Sequence, residues 1–143
     1  VVDQHFMLQK EVVDRMVAAP GTKAYGRLSV MLQRKYRMIK LFDVPPEAFT
    51  PAPKVMSSVV RMVPIQNPAE VDEETFHQVV AASFAMRRKT LKNNLSKWIS
   101  AEMMEEAGIK PEQRAESVPL ENFIRLACLV HAAGISIVLP GQV

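Results

Sequence analysis

Hydrophobic and polar positions alternate between two periods along this chain, and the change of period marks its architecture. Gln4-His5-Phe6-Met7-Leu8-Gln9 predicts a short buried strand. From Lys10 to Ala19, Val12, Val13, Met16 and Val17 fall at helical spacing. Pro20-Gly21 ends that helix. Leu28, Met31 and Leu32 predict a second helix over about 24–35. Arg37 to Val44 predicts a strand, and Val55-Met56-Ser57-Ser58-Val59-Val60-Arg61-Met62-Val63 a buried one. The order β-α-α-β-loop-β suits the end of an α/β sheet. The short connection between the last two strands predicts an antiparallel pair, one of them inserted beside its predecessor.

Beyond Pro64-Ile65-Gln66-Asn67-Pro68 the pattern is helical throughout. Asp72 is placed to cap a helix to about Met86, and Thr90 one from Leu91 to about Ser100. A short helix over 101–107 stops at Gly108. Pro119 opens the last, through Phe123, Leu126, Ala127 and Val130 to Gly134. The expected division is 1–66 and 67–143.

Between the last two strands lies Val44-Pro45-Pro46-Glu47-Ala48-Phe49-Thr50-Pro51-Ala52-Pro53-Lys54. Each proline fixes its own φ and extends the residue before it, so the segment is neither helix nor central strand. A stiff loop that holds out Phe49 can present an aromatic face to a flat ligand. The plainer reading is that Phe49 plugs the sheet edge.

The chain has 143 residues and 48% apolar content, with mean hydropathy +0.01, as in a globular protein. It begins Val1-Val2-Asp3 with no basic n-region or signal-peptide h-region, so no signal peptide is expected, and no apolar run reaches the roughly 18 residues of a membrane span. Cys128, the single cysteine, sits in Leu126-Ala127-Cys128-Leu129-Val130 and is expected to be a buried small hydrophobe. A reducing cytoplasm fits. His5, His77 and His131 are too far apart in sequence for a metal site and are expected to be structural.

Net charge is only +3, but it is unevenly spread. Residues 1–40 carry eight basic and three acidic side chains. Glu70, Asp72, Glu73 and Glu74 follow the linker. Residues 75–101 then hold Arg87, Arg88, Lys89, Lys92 and Lys97 with no acid, before six acids in 102–122. Two basic blocks can form one face toward a polyanion. On a continuous helix Arg87 would share the apolar face of Val80, Phe84, Leu91, Leu95 and Trp98. Either the helix breaks between Met86 and Thr90 or Arg87 reaches a partner. Both place Arg87-Arg88-Lys89 together beside a helix start, a phosphate grip in form. The alternative is a solvated face. Lys54 and Arg61 are further candidates, although Arg61 could equally protect a sheet edge. Arg27 and Lys10 could pair internally with Glu11 or Asp14. The methionines are core filler by default.

Several motifs, in order, resemble the KsgA-type ribosomal RNA adenine dimethyltransferases. They are Phe6-Met7-Leu8-Gln9-Lys10-Glu11-Val12 with Arg15, and Tyr25-Gly26-Arg27-Leu28-Ser29-Val30. Phe49-Thr50-Pro51-Ala52-Pro53-Lys54-Val55 runs into Ser57-Ser58-Val59-Val60-Arg61. Phe84 with Arg87-Arg88-Lys89-Thr90-Leu91 and Arg114-Ala115-Glu116 complete the set. The resemblance implies the last strands of a Rossmann-like methyltransferase sheet followed by a small all-α RNA-binding domain. It implies S-adenosylmethionine as cofactor and small-subunit rRNA in a pre-ribosomal particle as partner, with the protein a monomer. It also implies that Phe49 is half of a clamp on the target adenine, and that Arg87, Arg88, Lys89, Lys92 and Lys54 contact RNA. The family's glycine-rich cofactor motif and its Asn-Leu-Pro-Tyr segment do not occur in this sequence. The chain therefore corresponds to the family's last part and is not expected to bind cofactor or catalyse alone. A large-subunit rRNA methyltransferase, a non-catalytic RNA- or DNA-binding module and a polyproline ligand for an SH3-like partner are the other readings.

Overall fold

In the computed structural model, which describes residues 3–48 and 55–139, strands and helices alternate first and helices follow. β1 (Gln4–Gln9) leads directly into α1 (Lys10–Val17), then α2 (Arg27–Gln33), β2 (Tyr36–Val44) and β3 (Ser57–Pro64). After the linker come α3 (Glu73–Ser83), α4 (Leu91–Leu95), α5 (Ala101–Glu106) and α6 (Leu120–Ala132). The chain is α/β, as its pattern predicts.

The three strands run in the order β1-β3-β2, and β3 is antiparallel to both neighbours. The last strand is thus inserted beside its predecessor, and β1 and β2 are parallel to one another across it. Register sets the two faces. Val60 stands between Phe6 and Lys40, and Met62 between Gln4 and Met38. Val13 and Met16 of α1 cover Val60 and Met62 to form a small core. On the opposite face Val59 lies between Met7 and Phe42, and Arg61 between His5 and Ile39. Met7, Ile39 and Phe42 are each about half exposed there.

One expectation fails in the sheet, and one alternative drops out. β1 was expected to be buried, yet every residue of it is exposed. It is an edge strand, so the apolar character of Phe6, Met7 and Leu8 is not matched by cover among the described residues. Arg61 does not protect an edge, because β3 is the central strand. Its Nε donates to Asp3 Oδ2 at 2.9 Å.

The larger core belongs to the helices. α3 packs against α6 through Phe76, Val79, Val80, Phe123, Leu126 and Val130, and Leu91, Leu95 and Met104 close it below. On α6 the buried positions 123, 126, 127 and 130 recur every three or four residues. Cys128 falls off that stripe and is exposed, against expectation. Tyr25 and Val30, from the first part of the chain, are also in this core.

The caps are where the sequence places them. Asp72 Oδ2 accepts from Thr75 N at 3.0 Å, and Thr90 Oγ1 from Asn93 N at 3.3 Å. Gly108 ends α5 at φ +82°, and a Cβ there would lie 2.7 Å from Asn122 Nδ2. That amide donates to Ala107 O at 2.9 Å, so a side chain at 108 would displace it. Helix lengths differ more. α3 stops at Ser83 rather than Met86, because Asn94 Nδ2 donates to the carbonyls of Ser83 and Met86 at 3.0 and 3.1 Å. α4 ends at Leu95 and not near Ser100. α2 starts at Arg27 because Gly26 is extended, with φ −159°.

Candidate nucleic-acid interface

The proline loop leaves the sheet where β2 and β3 part. A single 3₁₀ turn, Pro46–Ala48, begins it, so this end is more curled than the proline count suggests. Proline suits the first position of such a turn. Phe49 and Lys54 lie outside the described residues. The neck of the loop is described, and it is polar. Ser58 Oγ, fully buried, donates to Asp43 Oδ1 at 2.6 Å across the strand pair. Lys40 Nζ lies 3.3 Å from Asp43 and 3.2 Å from Asp14, and Lys10 Nζ 2.7 Å from Asp14. The Ser58 hydroxyl, with Lys40, holds the Asp43 carboxyl below its ordinary value. The Lys10 hydrogen bond does the same for Asp14, while Asp14 and Asp43 raise Lys40. Lys10 N also donates to Met56 O at 2.9 Å, which ties the start of α1 to the far side of the loop. Lys10 thus pairs internally, as expected. Arg27 does not find a carboxylate among the described residues; its Nη2 is 3.0 Å from His77 Nε2.

The basic junction lies between α3 and α4. The helix breaks there and Arg87 also reaches partners, so both alternatives for this residue are realised together. Lys89 N donates to Met86 O at 2.9 Å, which makes the turn. Arg88, Lys89 and Lys92 are exposed, and none is in an ion pair among the described residues. Arg87, although also exposed, is engaged by its own chain. Its Nη2 donates to Lys23 O at 2.7 Å and Tyr25 O at 2.8 Å, and lies 3.4 Å from Glu116 Oε2. A pocket of about 310 Å³ beside it is lined by Arg15, Lys23, Arg27 and Arg87. The fold therefore brings cations from the two basic blocks to one place. The surplus of charge in residues 1–40 was the signal for Arg15 and Lys23, but spacing alone did not single them out.

A larger groove, about 800 Å³, opens where α2, the linker, α3 and α6 meet. Its charges are mixed: Arg34 and Lys35 against Glu70, Asp72 and Glu73. Arg34, buried, pairs with Glu73 and stands 5.3 Å above the Phe76 ring. His131 Nδ1 is 3.8 Å from Asp72 Oδ2. No cluster that could hold a metal occurs among the described residues, nor any helix long and apolar enough to cross a membrane.

The described residues do not fit an S-adenosylmethionine site. β1 passes into α1 at Gln9–Lys10 without a glycine, β2 is followed by Pro45, and β3 by the linker. Nowhere among them does a glycine-rich turn lead from strand to helix.

Residues 1–131 match the family model described as ribosomal RNA adenine dimethylase. A Bordetella avium protein named ribosomal RNA small subunit methyltransferase A is 54% identical over 137 residues, covering 94% of this chain and 52% of that protein. A protein of the same name from Herminiimonas arsenicoxydans is 53% identical over 127 residues, covering 89% and 50%. The chain spans about half the length of the curated relatives it matches. Among solved structures, a dimethyladenosine transferase from Plasmodium falciparum superposes with a TM-score of 0.82 at 21% identity, over 95% of this chain and 59% of that one. The 23S rRNA methyltransferase ErmE gives 0.65 at 20% identity, over 87% and 53%. These two share the fold.

Proposed function

The chain belongs to the ribosomal RNA adenine dimethylase family, and from that premise we propose that it is the C-terminal part of an S-adenosylmethionine-dependent enzyme that dimethylates adenine N6 in small-subunit rRNA. The observation that carries this reading is the match, over nearly the whole chain, to relatives named as small-subunit rRNA methyltransferases. The cofactor is held by residues outside this chain.

The chemistry explains what this part supplies. An adenine exocyclic amine is a weak nucleophile, since its lone pair is delocalised into the ring. The base must leave its stack and be held with the amine in line for transfer. Phe49, on its proline-framed loop, stacks on the flipped adenine. Base–aromatic stacking contributes about 1–3 kcal/mol, enough to offset much of the unstacking cost. Arg88, Lys89 and Lys92, with Lys54 on the loop, grip RNA phosphates, and Arg87 stands in the same cluster. The Asp43–Ser58 neck and the charges behind it hold the strands from which the loop springs. Residues 1–66 form the end of the methyltransferase domain and 67–143 the helical RNA-binding unit, with Tyr25 and Val30 seated in the helical core. The protein acts as a monomer on the pre-ribosomal particle, in the cytoplasm.

The test is Phe49→Ala in the protein completed by its N-terminal half. Methyl transfer to unmethylated small-subunit particles should fall strongly while cofactor affinity is kept. Unchanged turnover would remove Phe49 from the site. Transfer to large-subunit rRNA only, or none to either, would favour the large-subunit and the non-catalytic readings respectively.

A further inference from the structure

Arg87 and its neighbours Arg88 and Lys89 are consecutive cations with different surroundings. Arg88 and Lys89 are exposed, with no ion pair among the described residues. The Arg87 guanidinium lies against the backbone before α2, with Nη1 3.4 Å from where a Gly26 Cβ would stand. Its other terminal nitrogen is committed to two main-chain carbonyls, Lys23 and Tyr25, with Glu116 alongside. A guanidinium so engaged has lost the fork that would take a phosphate in two hydrogen bonds. The same segment is gripped from the other side. Gly21 N donates to Glu116 O and the Tyr25 hydroxyl to Val118 O, both at 2.7 Å. Glu116 thus touches both the cation and the segment the cation holds.

We propose that Arg87 is a positioning residue: it locks the α3–α4 turn onto residues 21–26 and so fixes the direction in which Arg88 and Lys89 project toward RNA. The idea rests on the reading that Arg88 and Lys89 contact phosphates. Because the turn is short and closed by the Lys89–Met86 hydrogen bond, anchoring residue 87 fixes the next two. The anchor is a pair of carbonyls 62 and 64 residues away in sequence, so the RNA surface is braced against the sheet-bearing part of the chain.

The experiment compares Arg87→Lys, Arg87→Gln and Arg88→Gln in the whole chain. Binding of a short RNA stem-loop is followed over a salt series, and amide hydrogen exchange is followed without RNA. A positioning role predicts that Arg87→Lys, despite keeping its charge, weakens RNA binding nearly as much as Arg87→Gln, because the lysine side chain ends one bond short of Nη2, the atom that donates to both carbonyls. It also predicts faster exchange over residues 21–29 in both Arg87 variants but not in Arg88→Gln. The loss in the Arg87→Gln, Arg88→Gln double variant should be smaller than the product of the single losses. The proposal is overturned if Arg87→Lys retains wild-type affinity and exchange while Arg87→Gln alone lowers the salt slope by roughly 0.7–0.9, the signature of one direct phosphate contact. Should Arg87→Gln fail to fold, the charge-keeping Arg87→Lys decides by itself. If Arg88→Gln alters neither affinity nor slope, the RNA reading fails and the positioning role falls with it. The exchange comparison, made without RNA, reports the lock separately.

Discussion

Removing one oxygen from Tyr25 tests how the first part of the chain is joined to the helical core. The ring is buried, its edge packs on Phe84 with centroids 6.4 Å apart, and its hydroxyl donates to Val118 O at 2.7 Å. Tyr25→Phe keeps the ring and deletes only the donor. Val118 is fully buried, so its carbonyl is left without that partner and without access to water. The net loss of such a bond, with the acceptor stranded, is about 1–3 kcal/mol. For a chain of this length that lowers the melting temperature by about 3–10 °C. Tyr36→Phe is the control, since the Tyr36 hydroxyl makes no hydrogen bond among the described residues; it should change stability by no more than ~0.5 kcal/mol. The two variants also differ in alkali. Burial, helped by the Glu121 charge, raises the Tyr25 pKa well above 10.0. The unfolded tyrosine ionises near that ordinary value and the folded one later, so stability is lost as pH climbs past about 10. Tyr25→Phe should lack that part of the alkaline loss. Urea unfolding from neutral pH to pH 11 measures both effects. A Tyr25→Phe protein as stable as wild type at pH 7, with an unaltered alkaline limb, would refute the role assigned to this hydroxyl.

Three further outcomes follow from the geometry. Glu73→Ala should destabilise by about 2 kcal/mol in urea unfolding, because it strands the buried Arg34 charge, whereas Lys35→Ala should cost under ~0.5 kcal/mol. Hydrogen bonds from Thr75 hold Asp72 below 3.8, so its capping contribution is present above that value and lost as pH falls through the lower folded pKa; Asp72→Asn should flatten acid unfolding below about pH 4. Lys89→Gln and Lys92→Gln should each reduce the slope of log affinity against log salt for RNA by about 0.7–0.9, and a slope identical to wild type would leave these lysines as surface residues.

The sequence was most legible where chemistry is local. β1 is bounded as its pattern predicts, and Asp72, Thr90 and Gly108 act at helix ends through groups within three residues or through φ alone. Apolar spacing found the buried face of α6 but misjudged Cys128, because a run of small hydrophobes conceals which side of the helix each residue occupies. β1 was misread for the opposite reason: its residues suit burial, and no element described on this chain covers them. The charge pattern located the basic junction. It could not show that Arg87 is held by its own chain, since its acceptors are main-chain carbonyls of Lys23 and Tyr25, which no side-chain pattern reveals. The end of α3 was missed likewise, as Asn94 satisfies its last carbonyls from beyond the turn.

On the proposed function, this chain should complete an rRNA adenine dimethyltransferase for the small subunit. The direct measurement replaces the matching half of the Bordetella avium relative with this chain and follows methyl transfer from labelled S-adenosylmethionine to small-subunit particles lacking dimethyladenine. The account predicts N6-dimethyladenine in the small-subunit rRNA, abolished or strongly reduced by Phe49→Ala. A folded, cofactor-binding chimera that methylates no small-subunit adenine would contradict it.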